Sequence, residues 1–169
     1  QKQMGAYYTK EDITGYITRN TVVPFLFGAA QKECRVAFGD EGGVWRLLSE
    51  DPDRYIYPSI GHGITWNARE TEPHPIEKPH DIPPGVAAGI DDVSKRGEWN
   101  RPAPDEYALP TETWREVVAR RERYEEVWLK LASGEVRDIN DLITLNLDVC
   151  RFAEDVISYS EGPELIRAF

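Results

Sequence analysis

Cysteine is scarce in this chain: Cys34 and Cys150 are the only two among its 169 residues. They lie far apart and form no C-x-x-C pair, which excludes a zinc ribbon or a thioredoxin-like redox motif. Disulfide frameworks belong mainly to secreted proteins, whereas proteins of the cytosol keep their cysteines reduced. The sequence therefore predicts a cytoplasmic protein whose two cysteines are reduced, buried thiols.

A long apolar run is also missing. The longest uncharged apolar stretch near the start covers only residues 21–30, and Pro24 interrupts it. A helix needs about 20 predominantly apolar residues to span a bilayer, so this stretch is too short. We therefore expect no membrane partner.

Positive charge is in short supply. The chain has 20 lysines and arginines against 30 aspartates and glutamates, which gives a formal net charge of −10. Affinity for nucleic acid rests mainly on lysine and arginine side chains that neutralise phosphates. The isolated chain is therefore expected to bind DNA poorly, so that contacts to DNA would come from other parts of a parent protein.

The chain does contain enough apolar material for a packed core. Apolar residues make up 40% of it, with five Trp, eight Tyr and five Phe, and this composition argues against disorder. A chain of this length is expected to form one compact domain that buries roughly 70% of its unfolded surface. The pattern predicts a mainly α fold with an antiparallel helix pair and a long Pro-rich irregular segment.

Composition separates three parts within this domain. Residues 1–57 are predicted to be mostly helical. Residues 58–109 hold eight of the twelve prolines and all three histidines, and we expect this part to wrap the surface, anchored by apolar residues. Residues 110–169 are predicted to form a helical hairpin and a short terminal helix. The expected anchors of the middle part are Ile64, Trp66, Ile76, Ile82, Val86, Ile90 and Trp99.

Two helix starts are expected in the first part. Thr9 is a suitable N-cap with Asp12 three residues later, as in a capping box, and Thr21 is a suitable cap for a new helix at Pro24. Apolar residues continue through both helices at helical spacing. They are Ile13, Ile17, Val22, Val23, Leu26 and Phe27.

The last part carries the clearest helical signals. Thr113 and Glu116 fit a capping box, and Gly134 fits the stop of the same helix. A second helix is expected to start near Asp138 or Asn140 and to run without a break to about residue 159. The short link between them predicts antiparallel neighbours.

Four arginines, Arg115, Arg120, Arg121 and Arg123, form a basic cluster on the first of these helices. They can contact DNA phosphates, or they can form a solvated face with acids at i, i+4 spacing, such as the pairs Glu116–Arg120 and Glu126–Lys130. The many acids on the same helix favour the solvated face. We predict no catalytic residue and, because the histidine spacings match no metal signature, no metal site.

A resemblance to a known family begins at the N-terminus. Residues 4–14, M-G-A-Y-Y-T-K-E-D-I-T, resemble the G-A-Y-Y-T-P motif of large adenine-specific DNA methyltransferases of restriction–modification and phage-defence systems. Residues 107–121, Y-A-L-P-T-E-T-W-R-E-V-V-A-R-R, are similar to a segment of the same enzymes. In that family the first motif lies before the catalytic domain and closes over S-adenosylmethionine.

The resemblance implies roles for residues of the motif. Tyr8 and Thr9 would lie beside the methyl donor, while Gly5, Ala6 and Tyr7 would shape the turn. The hydroxyl of Thr9 and the N–H groups of the following helix can hold a carboxylate. The partners implied are DNA, through the parent protein, and the rest of the methyltransferase chain.

The sequence also departs from the family pattern. Lys10 stands where the family has proline, and neither the D-P-x-C-G-x-G donor-binding loop nor the N-P-P-Y motif is present. The chain is therefore expected to be a piece of a longer enzyme that cannot catalyse the reaction alone. The alternative is a helical protein–protein interaction module without enzymatic activity, and the acidic charge suits a protein partner.

Overall fold

The computed structural model describes residues 10–39, 43–64 and 82–159. Their regular elements are helices, apart from one isolated antiparallel bridge between Pro102 and Thr113, so the predicted mainly α class is confirmed. In chain order the α-helices are α1 (Glu11–Ile17), α2 (Val23–Glu33), α3 (Arg35–Phe38), α4 (Arg46–Glu50), α5 (Pro84–Asp91), α6 (Trp114–Ala132), α7 (Ile139–Thr144) and α8 (Val149–Tyr159). A bilayer-spanning length of apolar helix is not found in these ranges.

The chain divides into two compact units. One contains residues 1–47 and 136–169, and the other contains residues 48–135. We refer to them as the terminal unit and the central unit. The division into parts at residues 57 and 109 stays a prediction.

Aromatic side chains form the core of the terminal unit. Phe152 of α8 is fully buried and stacks on Phe27 of α2, with ring centroids 5.5 Å apart. Trp45 stacks on Phe152 at 5.6 Å, and its indole N–H donates to the carbonyl oxygen of Phe38. Because such rings bury large areas, this cluster contributes substantially to the stability of the unit.

At the start of the terminal unit, the structure differs from the predicted N-caps of two helices. The N-cap of α1 is Lys10 and makes no side-chain capping bond, so the predicted Thr9 cap was wrong, and Thr9 itself lies outside the described residues. A π-helical turn, Thr18–Val22, joins α1 to α2 without a new start. Thr21 does not cap α2, because its hydroxyl donates to the carbonyl of Ile17. Pro24 lacks an N–H group, and the π-turn accommodates the missing hydrogen bond.

The prediction of one unbroken helix that ends near residue 159 was also wrong. The structure has two helices there, α7 and α8, separated by four residues. Asn146 adopts a left-handed conformation with φ of 57°, which ends α7. Asp148 then caps α8, since its carboxylate accepts a hydrogen bond from the Arg151 N–H. The predicted start of the helix is confirmed, because Asp138 is the N-cap of α7.

The core of the central unit joins the middle part of the chain to α6. One cluster of its buried residues consists of Ile82, Val86, Trp99, Ala108, Trp114, Val117 and Val118. Three of the predicted anchors, Ile82, Val86 and Trp99, are thus confirmed, while Trp66 and Ile76 lie outside the described residues. The middle part is more regular than predicted, because α5 is followed directly by a 3₁₀ turn, Val93–Glu98.

Both ends of α6 follow the sequence. Glu116 accepts hydrogen bonds from the backbone N–H and the hydroxyl of Thr113, so the predicted capping box is confirmed. Gly134 has a φ of 71° just beyond the helix, and its N–H donates to the carbonyl of Leu131. A positive φ at this position favours glycine, as predicted.

Gly89 of α5 provides the first test of this packing. A Cβ there would lie 2.4 Å from Nε1 of Trp99, so Gly89→Ala should lower the free energy of unfolding by about 1–3 kcal/mol through overpacking. This loss should outweigh the advantage of up to about 1 kcal/mol that alanine has over glycine in a helix. Urea unfolding followed by tryptophan fluorescence measures it.

Gly85→Ala is the matched control in the same helix. A Cβ at Gly85 meets nothing within 4 Å, so this variant should be as stable as the unmodified chain or slightly more stable. Equal stability of the two variants would contradict the close contact between α5 and Trp99.

Candidate functional site

The five residues that the resemblance assigns to the donor site lie in a part of the chain that the structure does not describe. Gly5, Ala6, Tyr7, Tyr8 and Thr9 all lie outside the described residues. The helix that was expected directly after the motif is α1, which begins at Glu11.

An exposed apolar face is the most prominent surface of the terminal unit. The stripe predicted along α1 and α2 is largely exposed, and of its members only Phe27 is fully buried. Tyr16 and Phe25, which lie beside the stripe, are 67% and 75% exposed. We use the name α1–α2 apolar face for the exposed apolar side chains of this segment, which are Ile13, Tyr16, Ile17, Val22, Phe25 and Leu26. Exposed apolar patches of this kind are typical of surfaces that pack against another protein.

Arg120 in the predicted basic cluster is neither a solvated side chain nor available to DNA. Its side chain is 8% exposed and pairs with Glu112, with Nε and Oε1 2.9 Å apart. Glu112 thus replaces Glu116, the predicted partner, which caps α6 instead. Two further nitrogens of Arg120 donate to backbone carbonyls at 2.6–3.0 Å; these belong to Ile60, His62 and Tyr107. The guanidinium therefore fastens two loops to α6.

The other arginines of the cluster differ in their surroundings. Arg121 is buried, donates to the carbonyl of Gly63 and lies over the ring of Tyr107. Arg123 pairs with Glu126 at 2.8 Å, and the predicted pair Glu126–Lys130 is confirmed at 2.7 Å. The solvated-face interpretation thus holds for Arg123, while Arg120 and Arg121 hold loops of the central unit against α6. No sequence pattern signals these two roles, because most of the carbonyls that Arg120 and Arg121 bind are far away in the chain.

The charge on Glu112 is stabilised by its surroundings. Burial alone would raise the pKa of this carboxyl, but hydrogen bonds from Arg120 and from the Leu109 N–H, with the arginine charge, hold it below its usual value of 4.5. The ionised form is therefore the one that the folded state favours.

Stability should consequently depend on pH through Glu112. Because its pKa is lower in the folded state, its contribution is fully present above the unfolded-state pKa and is lost as pH falls through the folded-state pKa. The loss of stability caused by Glu112→Gln should therefore be largest near neutral pH and should shrink in acid. Urea unfolding at a series of pH values tests this, with the exposed Glu122→Gln as the control; a loss independent of pH would contradict the assignment.

A second carboxylate in the central unit was also missed from the sequence. Asp53 accepts hydrogen bonds from the hydroxyl of Tyr124 and from the indole N–H of Trp128. Burial raises the pKa of Asp53, although the two donors oppose this shift. Burial and the adjacent carboxylate likewise raise the pKa of Tyr124 above its usual value of 10.0, so its hydroxyl remains a donor. The arrangement ties the 3₁₀ turn Pro52–Tyr55 to α6.

Residues 10–39, 43–64 and 82–159 contain no group of side chains that could hold a metal ion. No three histidine, cysteine, aspartate or glutamate side chains converge there. His62 is exposed, and its Nε2 lies 2.9 Å from the carbonyl oxygen of Asp105. His74 and His80 lie outside the described residues. Cys34 and Cys150 form no disulfide, as predicted, but both are only half-buried, so the prediction that they are buried was wrong.

Comparison with known proteins leaves the assignment open. The chain matches no protein-family model, no curated protein and no solved structure. A mainly α fold hosts many unrelated functions and identifies none of them. Any assignment of function must therefore rest on particular residues.

Proposed function

We propose that the chain is a non-catalytic part of a large adenine-specific DNA methyltransferase of a restriction–modification or phage-defence system. The observation that carries this proposal is the sequence of residues 4–14, which resembles the G-A-Y-Y-T-P motif. The parent enzyme would transfer a methyl group from S-adenosylmethionine to the exocyclic amine of a flipped adenine. As the C–N bond forms, the C–S bond breaks, S-adenosylhomocysteine leaves and the amine loses a proton.

The motif residues have distinct roles in this proposal. Tyr8 and Thr9 lie beside the donor, where the Thr9 hydroxyl binds its carboxylate. Gly5, Ala6 and Tyr7 form the turn that brings them there. Since the rest of the donor site belongs to other parts of the parent, the isolated chain should have almost no affinity for S-adenosylmethionine.

The α1–α2 apolar face fits this proposal, although it fits the second candidate function below equally well. The face begins in the helix that directly follows the motif, and Tyr16 and Phe25 are its most exposed members. A segment that closes over a donor must pack against the domain that holds the donor. The rest of the methyltransferase chain is the partner that would cover these side chains.

Replacing Thr9 with alanine in the parent protein tests the donor role. We expect the affinity for S-adenosylmethionine to fall by about tenfold, since a hydrogen bond to a charged group is lost. Isothermal titration calorimetry of the parent measures this. The control is Thr14→Ala, because the Thr14 hydroxyl is exposed and donates to the Glu11 carbonyl within α1.

Two results would contradict the methyltransferase proposal. One is unchanged donor affinity in the Thr9→Ala parent. The other is a parent gene in which the codons after Phe169 encode no D-P-x-C-G-x-G-like loop.

The second candidate function, a helical protein–protein interaction module, is favoured by the same exposed face. Its acidic net charge of −10 also suits a protein partner better than DNA. The two functions separate in the parent through Phe25→Ser. Loss of assembly together with loss of donor binding supports the methyltransferase, whereas loss of assembly in a parent without any donor affinity supports the interaction module.

A further inference from the structure

A small cleft in the central unit combines two arginines with an amide and an indole. Its volume is about 180 Å³, and it is lined by Arg96, Trp99, Asn100 and Arg115. The two arginines come from different elements, the 3₁₀ turn Val93–Glu98 and the first turn of α6. Two guanidinium groups and a side-chain amide supply many N–H donors in a confined space.

Backbone and core contacts fix the frame of this cleft. Trp99 is 7% exposed, and its indole N–H donates to the carbonyl of Val86 at 2.9 Å. The guanidinium carbon of Arg96 lies 4.2 Å from the centre of the Trp99 ring, while Arg96 Nε donates to the Gly89 carbonyl. The backbone N–H of Arg115 donates to the Trp99 carbonyl at 2.8 Å. The guanidinium of Arg96 and the backbone of Arg115 are therefore both held by contacts to Trp99.

Two acids that neighbour the cleft residues in the sequence, Glu98 and Glu116, have other partners, although Glu116 also interacts electrostatically with Arg115. Glu98 pairs with Arg101 at 2.7 Å, and the carboxylate of Glu116 accepts two hydrogen bonds from Thr113. Within the described residues, no ion pair involves Arg96 or Arg115. Their positive charge is thus not neutralised by direct pairing with an acid.

The side chains, not the end of α6, would hold an anion here. The first two N–H groups of α6 already donate to carbonyl oxygens, that of Trp114 to Arg101 and that of Arg115 to Trp99. An anion in the cleft must therefore be bound by the guanidinium groups and by the amide of Asn100. Planar guanidinium groups match the oxygen geometry of a phosphate.

We propose that this cleft binds a phosphate group. Arg96, Asn100 and Arg115 are all exposed, so the group can reach them from solvent, and Arg96 also lies against the Trp99 ring. The group can be carried by a small phosphate ester or by a nucleic-acid strand. Because the chain has a net charge of −10, a long polyanion is repelled by the molecule as a whole, and a small ester is the favoured source.

Titration of the whole chain with inorganic phosphate, followed by the NMR resonance of the Trp99 indole N–H, tests the site. We expect a saturable shift with a dissociation constant on the order of 1 mM, and Arg115→Gln should weaken binding by about tenfold or more. Arg123→Gln is the control, because Arg123 lies on the same helix and pairs with Glu126. It should leave the affinity unchanged.

Two results would overturn the proposal: no saturable shift of the Trp99 resonance, or equal binding by Arg115→Gln and the unmodified chain. The other NMR resonances of Arg115→Gln should stay at their positions in the unmodified chain, which shows that the variant is folded. Arg96→Gln provides a second variant.

A parallel titration with a short DNA duplex identifies the molecule that carries the phosphate group. Tighter, salt-sensitive duplex binding that needs Arg115 assigns the phosphate to a strand, whereas binding of phosphate alone assigns it to a small ester. Neither titration involves the methyl donor. A negative result would therefore overturn the phosphate site without contradicting the proposed function.

Discussion

Replacing Arg120 with alanine should lower the free energy of unfolding by about 3–5 kcal/mol, the effect expected when one partner of a buried ion pair is removed. The side chains of Arg120 and Glu112 are 8% and 16% exposed, so water cannot fully replace the lost contacts. The carbonyls of Ile60, His62 and Tyr107 lose their guanidinium donor in the same step. Urea unfolding followed by circular dichroism measures the change, with Arg123→Ala as a control on the same helix.

A double variant separates the two contributions. Arg120→Met with Glu112→Gln removes the stranded carboxylate charge but still leaves the three carbonyls without the guanidinium. If the carbonyl bonds matter, the double variant should remain less stable than the unmodified chain by about 1–3 kcal/mol. Full recovery of stability would show that the ion pair alone accounts for the loss. A loss below about 1 kcal/mol in Arg120→Ala would instead mean that the side chain is solvated, as at exposed pairs.

Replacing Gly63 with alanine should be about as damaging, with a loss of about 3 kcal/mol or more from strain and overpacking combined. Gly63 has a φ of 68°, and a Cβ there would lie 2.7 Å from the Glu106 carbonyl oxygen and from two backbone atoms of Tyr107. These are backbone atoms, so they cannot move aside by a change of rotamer. The loop that carries the carbonyl bound by Arg121 would have to shift.

Gly134→Ala isolates the contribution of backbone strain. Gly134 has a nearly equal φ of 71°, but a Cβ there meets nothing within 4 Å. We expect a loss of about 1–2 kcal/mol at this position, from the left-handed conformation alone. Denaturant midpoints of the two variants give the difference. Equal losses would show that the close approach of residue 63 to residues 106 and 107 does not persist in solution.

The start and end of α6 illustrate what can be read from the sequence. The capping box of Thr113 and Glu116 joins residues three apart, and the stop at Gly134 depends on one residue and its neighbours. Such signals act over less than two helical turns and need no knowledge of the fold. The break between α7 and α8 is also local, but its signal is weaker. Asn146 adopts positive φ much less readily than glycine does, and the surrounding apolar residues continue the helical pattern.

The candidate sites could be predicted only in part. The sequence shows that Arg115 is a cation on a helix. It does not show that Arg115 lines one cleft with Arg96 and Trp99, because this depends on tertiary contacts such as the bridge between Pro102 and Thr113. The apolar stripe on α1 and α2 was visible as a pattern, but a pattern does not say whether the stripe is covered. Periodicity reports which side chains share a helix face, and only packing reports what that face contacts.

The sequence by itself determined the mainly α class, the ends of α6, the anchoring of the middle part by Ile82, Val86 and Trp99, and the motif that motivates the proposed function. The tertiary structure decided the roles of the arginines. Arg120 binds carbonyls 60 and 58 positions away, at Ile60 and His62. Backbone carbonyls that lose contact with water need hydrogen-bond donors, and which side chain supplies them here is set by the folded chain, because donor and acceptor are remote in the sequence. A side chain that is indistinguishable from a solvated cation in the sequence thereby becomes a structural tie.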